Sequence, residues 1–369
     1  LNGVTHCLEH MLFKGTKRRS ARDIALEIEA VGGHMNAYTS RDHTTYYARV
    51  LKEDTHLALD VLGDILLNSR LDASELTREK DVIIQEIGQT NDTPDDVIFD
   101  YLQEVSFKDQ ALGRSILGTP SSVRSFTPDD LRGFLSERYT AQSVVLSAVG
   151  NLNHDALVAQ AEDILGQLPA SGVPQPEAGH FVGGELLDER ALEQTHVALG
   201  YEGVSFQDAD YYALQLYSMV LGGGMSSRLF QQVREERGLA YSVYSFASSH
   251  ADTGMLGIYA GTSPEMAREM MQVIKGEMGD LATTLAEDEL MLGKAQLKAG
   301  LLMALESTTS RMEQLGRQML IFGRTLSVDE ITKAIEDVSL ADVKRIAERY
   351  AGAQNTAFTA IGGGNLALM

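Results

Sequence analysis

The sequence predicts an α+β protein of two domains with one shared topology, each a mostly antiparallel sheet packed against helices. Three observations carry this reading. The chain has 369 residues, and domains run to roughly 100–200 residues each. Helical and strand-like patterns alternate along it. One order of elements also recurs on either side of a stretch rich in Pro and Gly.

Taken in order, Ser20 to Ala30 places Ile24, Ala25 and Ile28 on one face and reads as a helix stopped by Gly32-Gly33. Thr44 to Val50, rich in Thr, Tyr and Val, reads as a strand. Leu57 to Leu67 is again helical in period. Asp72 with Glu75 makes a capping box for the helix that follows. Val144 to Val149 reads as a buried strand closed by Gly150-Asn151. Pro169 to Gly184 contains Pro169, Pro174 and Pro176 and is the best linker in the chain.

The recurrence flanks that linker. Asp130 to Tyr139 is an amphipathic helix ending in Glu-Arg-Tyr, followed by Val144–Val149 and Gly150-Asn151-Leu152. Asp342 to Tyr350 ends in the same tripeptide 211 positions later, followed by strand-like Thr356–Ile361 and Gly364-Asn365-Leu366. A shared order of elements argues for duplication more strongly than the tripeptide does. The expected domains are 1–170 and 190–369, joined by 171–189.

Composition excludes several classes. Hydrophobic residues make up 44% and charged residues 22%, an ordinary globular mix. No apolar run reaches the ~18 residues of a membrane span, which predicts a soluble protein. A net charge of −21 argues against nucleic-acid binding and would attract a basic substrate, although acidity for solubility alone explains it more simply. The one cysteine, Cys7, excludes an internal disulfide framework and is expected to pack. The chain starts at Leu1 in an apolar helical pattern, which implies an upstream segment and leaves room for a targeting leader.

The sharpest local signal is His6-Cys7-Leu8-Glu9-His10. Residues four apart share a helix face, so two imidazoles can address one ion, with Glu9 beside them as a base. The motif inverts the commoner His-Glu-x-x-His order. A site of this kind needs a third protein ligand. The helix Leu76–Ile87 offers Glu79 and Glu86, two turns apart. Glu86, between Ile83-Ile84 and Ile87, reads as core-facing, where an unpaired carboxylate is costly; Glu79 fits a solvated face equally well.

These residues resemble the inverted-motif zinc peptidases, the family of pitrilysin, insulin-degrading enzyme and the mitochondrial processing peptidase. His6-x-x-Glu9-His10 is followed 76 residues later by Glu86 within Glu79-Lys-Asp-Val-Ile-Ile-Gln-Glu86-Ile87. Gly33 to Ser40, Leu112 to Thr119 and Gly222 to Phe230 also resemble family segments, so the likeness runs along almost the whole chain. It implies two homologous α/β domains of the LuxS/MPP-like metallohydrolase type and places the chain in the short, dimeric branch. It further implies that His6, His10 and Glu86 hold one Zn2+ per chain and that Glu9 is the base. Glu79 becomes an accessory acidic residue. Asn36 and Ala37 are implied to lie on the edge strand that binds substrate backbone. Arg234 and Tyr241 match the family's substrate-binding pair, with Tyr241 also helping at the reacting carbonyl.

The expected function is a zinc metalloendopeptidase acting on peptides or unfolded segments inside the chamber of a homodimer. A non-catalytic or partner-dependent subunit of the same family is the alternative. The identity of the substrate stays open, a basic peptide being one expectation from the acidic charge. The compartment stays open between a bacterial cytoplasm, which is favoured, a mitochondrial matrix and a periplasm. Leu214 to Gly224, which maps onto the motif helix in the second half, contains no His; recognition and enclosure are therefore expected there. The methionines of Met266–Met278 are read as a core face.

Overall fold

A computed structural model describes residues 1–363; Gly364-Asn365-Leu366 lies outside them. The chain begins with α1 (Val4–Leu12), α2 (Ala21–Glu29) and the hairpin β1 (His34–Thr39)–β2 (Thr44–Arg49). Then come α3 (Thr55–Asn68), α4 (Ala73–Asn91), α5 (Pro94–Ser106), α6 (Pro120–Ser125), α7 (Pro128–Arg138) and α8 (His154–Leu165). Residues 168–183 are irregular and open the second half, which continues with β3 (Gly184–Glu189), β4 (Thr195–Glu202) and α9 (Tyr211–Gly222). A π-helical turn at Phe230–Glu235 leads to β5 (Ala240–Ser249) and β6 (Gly254–Thr262). The remainder is α10 (Ala267–Thr284), α11 (Glu287–Ala304), α12 (Thr308–Phe322), α13 (Val328–Asp337), α14 (Leu340–Ala351) and β7 (Thr356–Gly362). Among the described residues, no helix is long and apolar enough to cross a membrane.

The chain forms two compact units that do not follow a single cut in the sequence. The first comprises Leu1–Gln89, Ser115–Pro176 and Ser307–Gly323; the second comprises Thr90–Arg114, Glu177–Glu306 and Arg324 onward. The junction at Pro176–Glu177 falls in the expected linker, but α5 and α12 each belong with the other half of the chain. The reason for α5 is its apolar face. Val97, Ile98, Leu102 and Val105 are buried in one cluster with Ala198, Met255, Tyr259, Ala357 and Ile361 of the second unit's sheet.

In the first unit, the core gathers Cys7, Leu8, Met11 and Leu12 of α1 with Ile24, Ile28, Ile65, Ile83 and Leu131. The local punctuation follows sequence rules. Ser20 caps α2 with a reciprocal box to Asp23, and Gly32 turns the chain at φ +68°, where a side chain would be strained. At α4 the expected Asp72–Glu75 box forms only in part. Asp72 Oδ1 accepts from Ser74 N and Oγ at 2.8 and 2.6 Å, whereas Glu75 turns to Arg78.

The expected strand Val144–Val149 is not formed; the segment is irregular and half-exposed. A strand needs a neighbour to take its backbone groups, and this unit's sheet among the described residues is the β1–β2 hairpin alone. Ser147 Oγ donates instead to the Met312 carbonyl in α12, at 2.8 Å.

The second unit holds a five-stranded sheet in the order β3-β7-β4-β6-β5. Only β3 and β7 run parallel; the other neighbours are antiparallel. Its core combines β4, β5, β6 and β7 with α9, α10 and α14, including Leu214, Tyr217, Ile258, Ile274, Ile346 and Phe358. Met270, Met271 and Met278 are buried there, as the sequence suggests, while Met266 stands exposed before α10.

Candidate metal centre

Helix α1 starts after Gly3, whose φ of +83° and close backbone approach to Leu117 and Gly118 admit no side chain. That junction fixes the helix by its buried Val4, Cys7, Leu8 and Met11. The opposite stripe, His6, Glu9 and His10, is thereby turned toward α4. His6 and His10 lie edge to face with ring centroids 4.6 Å apart.

Glu86 closes the group from α4. Its Oε2 is 3.6 Å from His6 Nε2 and 3.7 Å from His10 Nε2, and one ligand atom from each of the three lies within 4.8 Å of the others. Ligands about 2.1 Å from a tetrahedral ion stand roughly 3.4 Å apart, so the trio fits a zinc-sized cation. Two imidazole nitrogens and one carboxylate oxygen are also the donor set that zinc takes in open sites.

Electrostatics agrees with the geometry. Burial, with the neighbouring His10, pushes the His6 pKa down to about 4, so this ring is neutral at pH 7 and its lone pair is free. His6 Nδ1 is buried without a hydrogen-bond partner. A polar atom left so is costly and serves no packing purpose that Leu would not serve better; an ion on Nε2 gives the ring a compensating interaction. Burial also raises the Glu9 pKa above the ordinary glutamate value, opposed by its Thr39 bond and by His10.

Glu86 does not take the core-facing surroundings expected of it, and Glu79, whose surroundings were open, takes the buried place. Glu79 is the buried one, 6% exposed, and the Glu86 side chain is 41% exposed. Two turns of helix leave Glu79 beneath the site, where its Oε2 takes His10 Nδ1–H at 3.1 Å and its Oε1 meets Lys14 Nζ at 2.7 Å. A carboxylate on Nδ1 fixes the tautomer that presents Nε2. Glu79 thus acts through His10 rather than on a reacting atom. Lys14, four residues after His10, went unnoticed in the sequence; its spacing was the available signal.

The hairpin borders the same site. Thr39 Oγ1 donates to Glu9. Asn36 faces outward and Ala37 inward in alternation along β1, and the Asn36 side-chain oxygen accepts the Ala37 backbone N–H at 2.9 Å. Strand β1 has β2 on one side and, among the described residues, no strand on the other. Cys7 is fully buried, and burial pushes its thiol up to about 12, which suits packing and not nucleophilic attack.

Arg234 and Tyr241 belong to the second unit, where they come together. The Arg234 guanidinium stacks 4.5 Å from the Tyr241 ring and 4.7 Å from that of Phe230. The π-helical turn carries Arg234. Tyr241 is the extra residue of a bulge between Ala240 and Ser242, which turns it outward, 75% exposed. Both are irregularities that often mark functional positions. Helix α9 supplies no imidazole: its buried face is Leu214, Leu216, Tyr217 and Leu221.

A helix-borne His-x-x-Glu-His face closed by a carboxylate from a second helix, in a two-unit α+β chain, defines the class of inverted-motif metallohydrolases. Residues 1–120 match the family model described as Insulinase (Peptidase family M16), and residues 125–297 match that of the Peptidase M16 inactive domain. A protein named an uncharacterized zinc protease in Streptomyces coelicolor is 41% identical over 362 residues, covering 95% of this chain and 79% of that one. One so named in Bacillus subtilis is 40% identical over 354 residues, covering 95% and 86%. This chain belongs to peptidase family M16. The crystal structure of a peptidase M16 inactive domain from Pseudomonas fluorescens superposes with a TM-score of 0.89 at 22% identity, over 98% of this chain and 88% of that one. A protease from Helicobacter pylori gives 0.88 at 21%, over 97% and 89%. At such identities these two show the fold alone.

Proposed function

We propose that this protein is a zinc-dependent endopeptidase that cuts peptides or unfolded segments, with one Zn2+ held per chain by His6, His10 and Glu86. The observation that carries it is the convergence of those three ligand atoms within 4.8 Å, with Glu9 on the same helix face. When bound, zinc acidifies water and polarises a carbonyl. Glu9, its pKa raised chiefly by burial, accepts the proton of the attacking water and returns it to the leaving amine as the C–N bond breaks. Glu79 keeps His10 in the tautomer that leaves Nε2 free.

Substrate is proposed to add as a strand along the open edge of β1, its carbonyl replacing the Asn36 oxygen on the Ala37 N–H. Arg234 is suited to hold a substrate carboxylate or backbone carbonyl, and the exposed Tyr241 hydroxyl to donate to the carbonyl as charge develops. Since the metal trio and the Arg/Tyr pair lie in different units, and the resemblance is to a dimeric branch, the working form is proposed to be a homodimer. Arg234/Tyr241 of one copy would then complete the site of the other. The inactive-domain match at residues 125–297 suits a second half devoted to recognition.

Glu9→Gln should keep zinc and lower kcat by about 10²–10⁴-fold on an unstructured peptide. Full activity in the zinc-loaded variant would refute the assignment of the base. Chelator-insensitive cleavage refutes the zinc dependence, and no cleavage with zinc bound favours the non-catalytic subunit. Mixing Glu9→Gln with an Arg234/Tyr241 double variant regains activity if sites are shared between copies; no regain after verified subunit exchange refutes the shared site.

A further inference from the structure

The Glu9 carboxylate is not simply exposed on its helix. Its Oε2 accepts the hydroxyl of Thr39, at the end of β1. Thr39 sits directly across from Thr44 in the hairpin register, with their Oγ1 atoms 3.3 Å apart. Farther along β2, the Tyr46 hydroxyl is 3.1 Å from that of Tyr139. Both tyrosines pack against the first unit's core.

The direction of this chain follows from donor arithmetic. An ionised carboxylate only accepts, and each hydroxyl has one proton to give. Thr39 gives its proton to Glu9, so Thr44 must donate to Thr39. Both O–H dipoles point toward Glu9, an arrangement in which each bond strengthens the next.

We propose that Thr39 is a positioning residue for Glu9: at the head of an oriented Thr44–Thr39 hydroxyl pair, it holds one carboxylate oxygen and leaves the other to carry the proton. This rests on the peptidase reading given above. A free Glu side chain samples several rotamers, whereas proton transfer needs its oxygen within hydrogen-bond reach of the reacting groups. Thr39 and Thr44 share the inward face of the hairpin, so the rigidity of two paired strands is conveyed to a residue on α1. A misplacement of about 1 Å can cost on the order of 10²-fold in rate.

The test uses the zinc-loaded protein and a fluorogenic unstructured peptide. Val has the shape and strand preference of Thr without its hydroxyl. Thr39→Val should lower kcat by about 10–100-fold, with KM, zinc content and melting temperature near wild type. Thr39→Ser should restore kcat to within about threefold, because the hydroxyl and not the methyl matters. Thr44→Val should cost about threefold and add nothing to Thr39→Val, since both break one chain. Wild-type kcat in Thr39→Val, no rescue by Ser, or additive losses would each overturn the proposal. Crystal structures of wild type and Thr39→Val provide a readout independent of turnover. A single Glu9 rotamer that rotates or splits in the variant supports the proposal, and an unchanged one sinks it. An inactive wild type with zinc bound and Glu9 ordered by Thr39 would instead refute the peptidase reading.

Discussion

Glu79→Gln separates a residue that tunes the metal from one that touches substrate. In the native protein the Glu79 carboxylate is buried, taking His10 Nδ1–H at 3.1 Å and Lys14 Nζ at 2.7 Å. Gln keeps the volume and one acceptor oxygen but removes the charge. A hydrogen bond to a charged group is worth about 1.5–3 kcal/mol, against about 0.5–1.5 for a neutral one. The difference, roughly 1–2 kcal/mol, corresponds to about 5–30-fold weaker zinc binding at 1.4 kcal/mol per decade. Competition with a chromogenic chelator at pH 7.5 measures it directly. In excess zinc, kcat should recover to near wild type, because the lost charge acts on His10 and not on the reaction. Affinity within twofold of wild type would refute the inference that Glu79 acts through His10. Low kcat at saturating zinc would show that Glu79 touches the chemistry itself.

Other consequences are as direct. Asp64 has a fully buried side chain that accepts from Thr16, Arg18, Arg19 and Asn68; Asp64→Ala removes these bonds and leaves Arg19 to Asp60 and Glu27, and should cost about 2–3 kcal/mol, read by urea unfolding of zinc-loaded protein, with a loss under 1 kcal/mol counting against the network. His6 titrates near 6.5 when unfolded and near 4 when folded, so the unfolded chain binds the extra proton between those values. Metal-free protein should therefore lose stability as pH falls from about 6.5 toward 4, by up to about 3 kcal/mol from this group, and His6→Gln should lack that component; identical pH slopes would contradict it. Cys7 should be silent to thiol reagents at pH 8 in native protein and titrate as one thiol in denaturant. Rapid native labelling would show that α1 opens.

The short-range features were legible because short-range physics decides them. Residues 6, 9 and 10 fall on one helix face by the 3.6-residue period alone. The same holds for the Ser20 cap, the Gly32 turn, the β2 strand and β7. The motif also carried the third ligand, through the resemblance of its spacing to Glu86. Val144–Val149 failed as a strand because its apolar run says nothing about whether a partner lies alongside. Glu86 was assigned the wrong surroundings and Glu79 none, because both lie on one face of α4 and only the tilt of that helix against α1 decides which goes under the site.

By itself, then, the sequence determined that His6, Glu9 and His10 share one helix face, and it marked β2 and β7, since these depend on side-chain chemistry and local periodicity. Packing alone decided that α5 joins the second unit's sheet and that Lys14 and His10 share Glu79. It likewise decided that the hydroxyls of Thr39 and Thr44 line up on Glu9. Such contacts join residues up to about 260 positions apart, and their geometry comes from how helices and strands are packed, which no local pattern encodes.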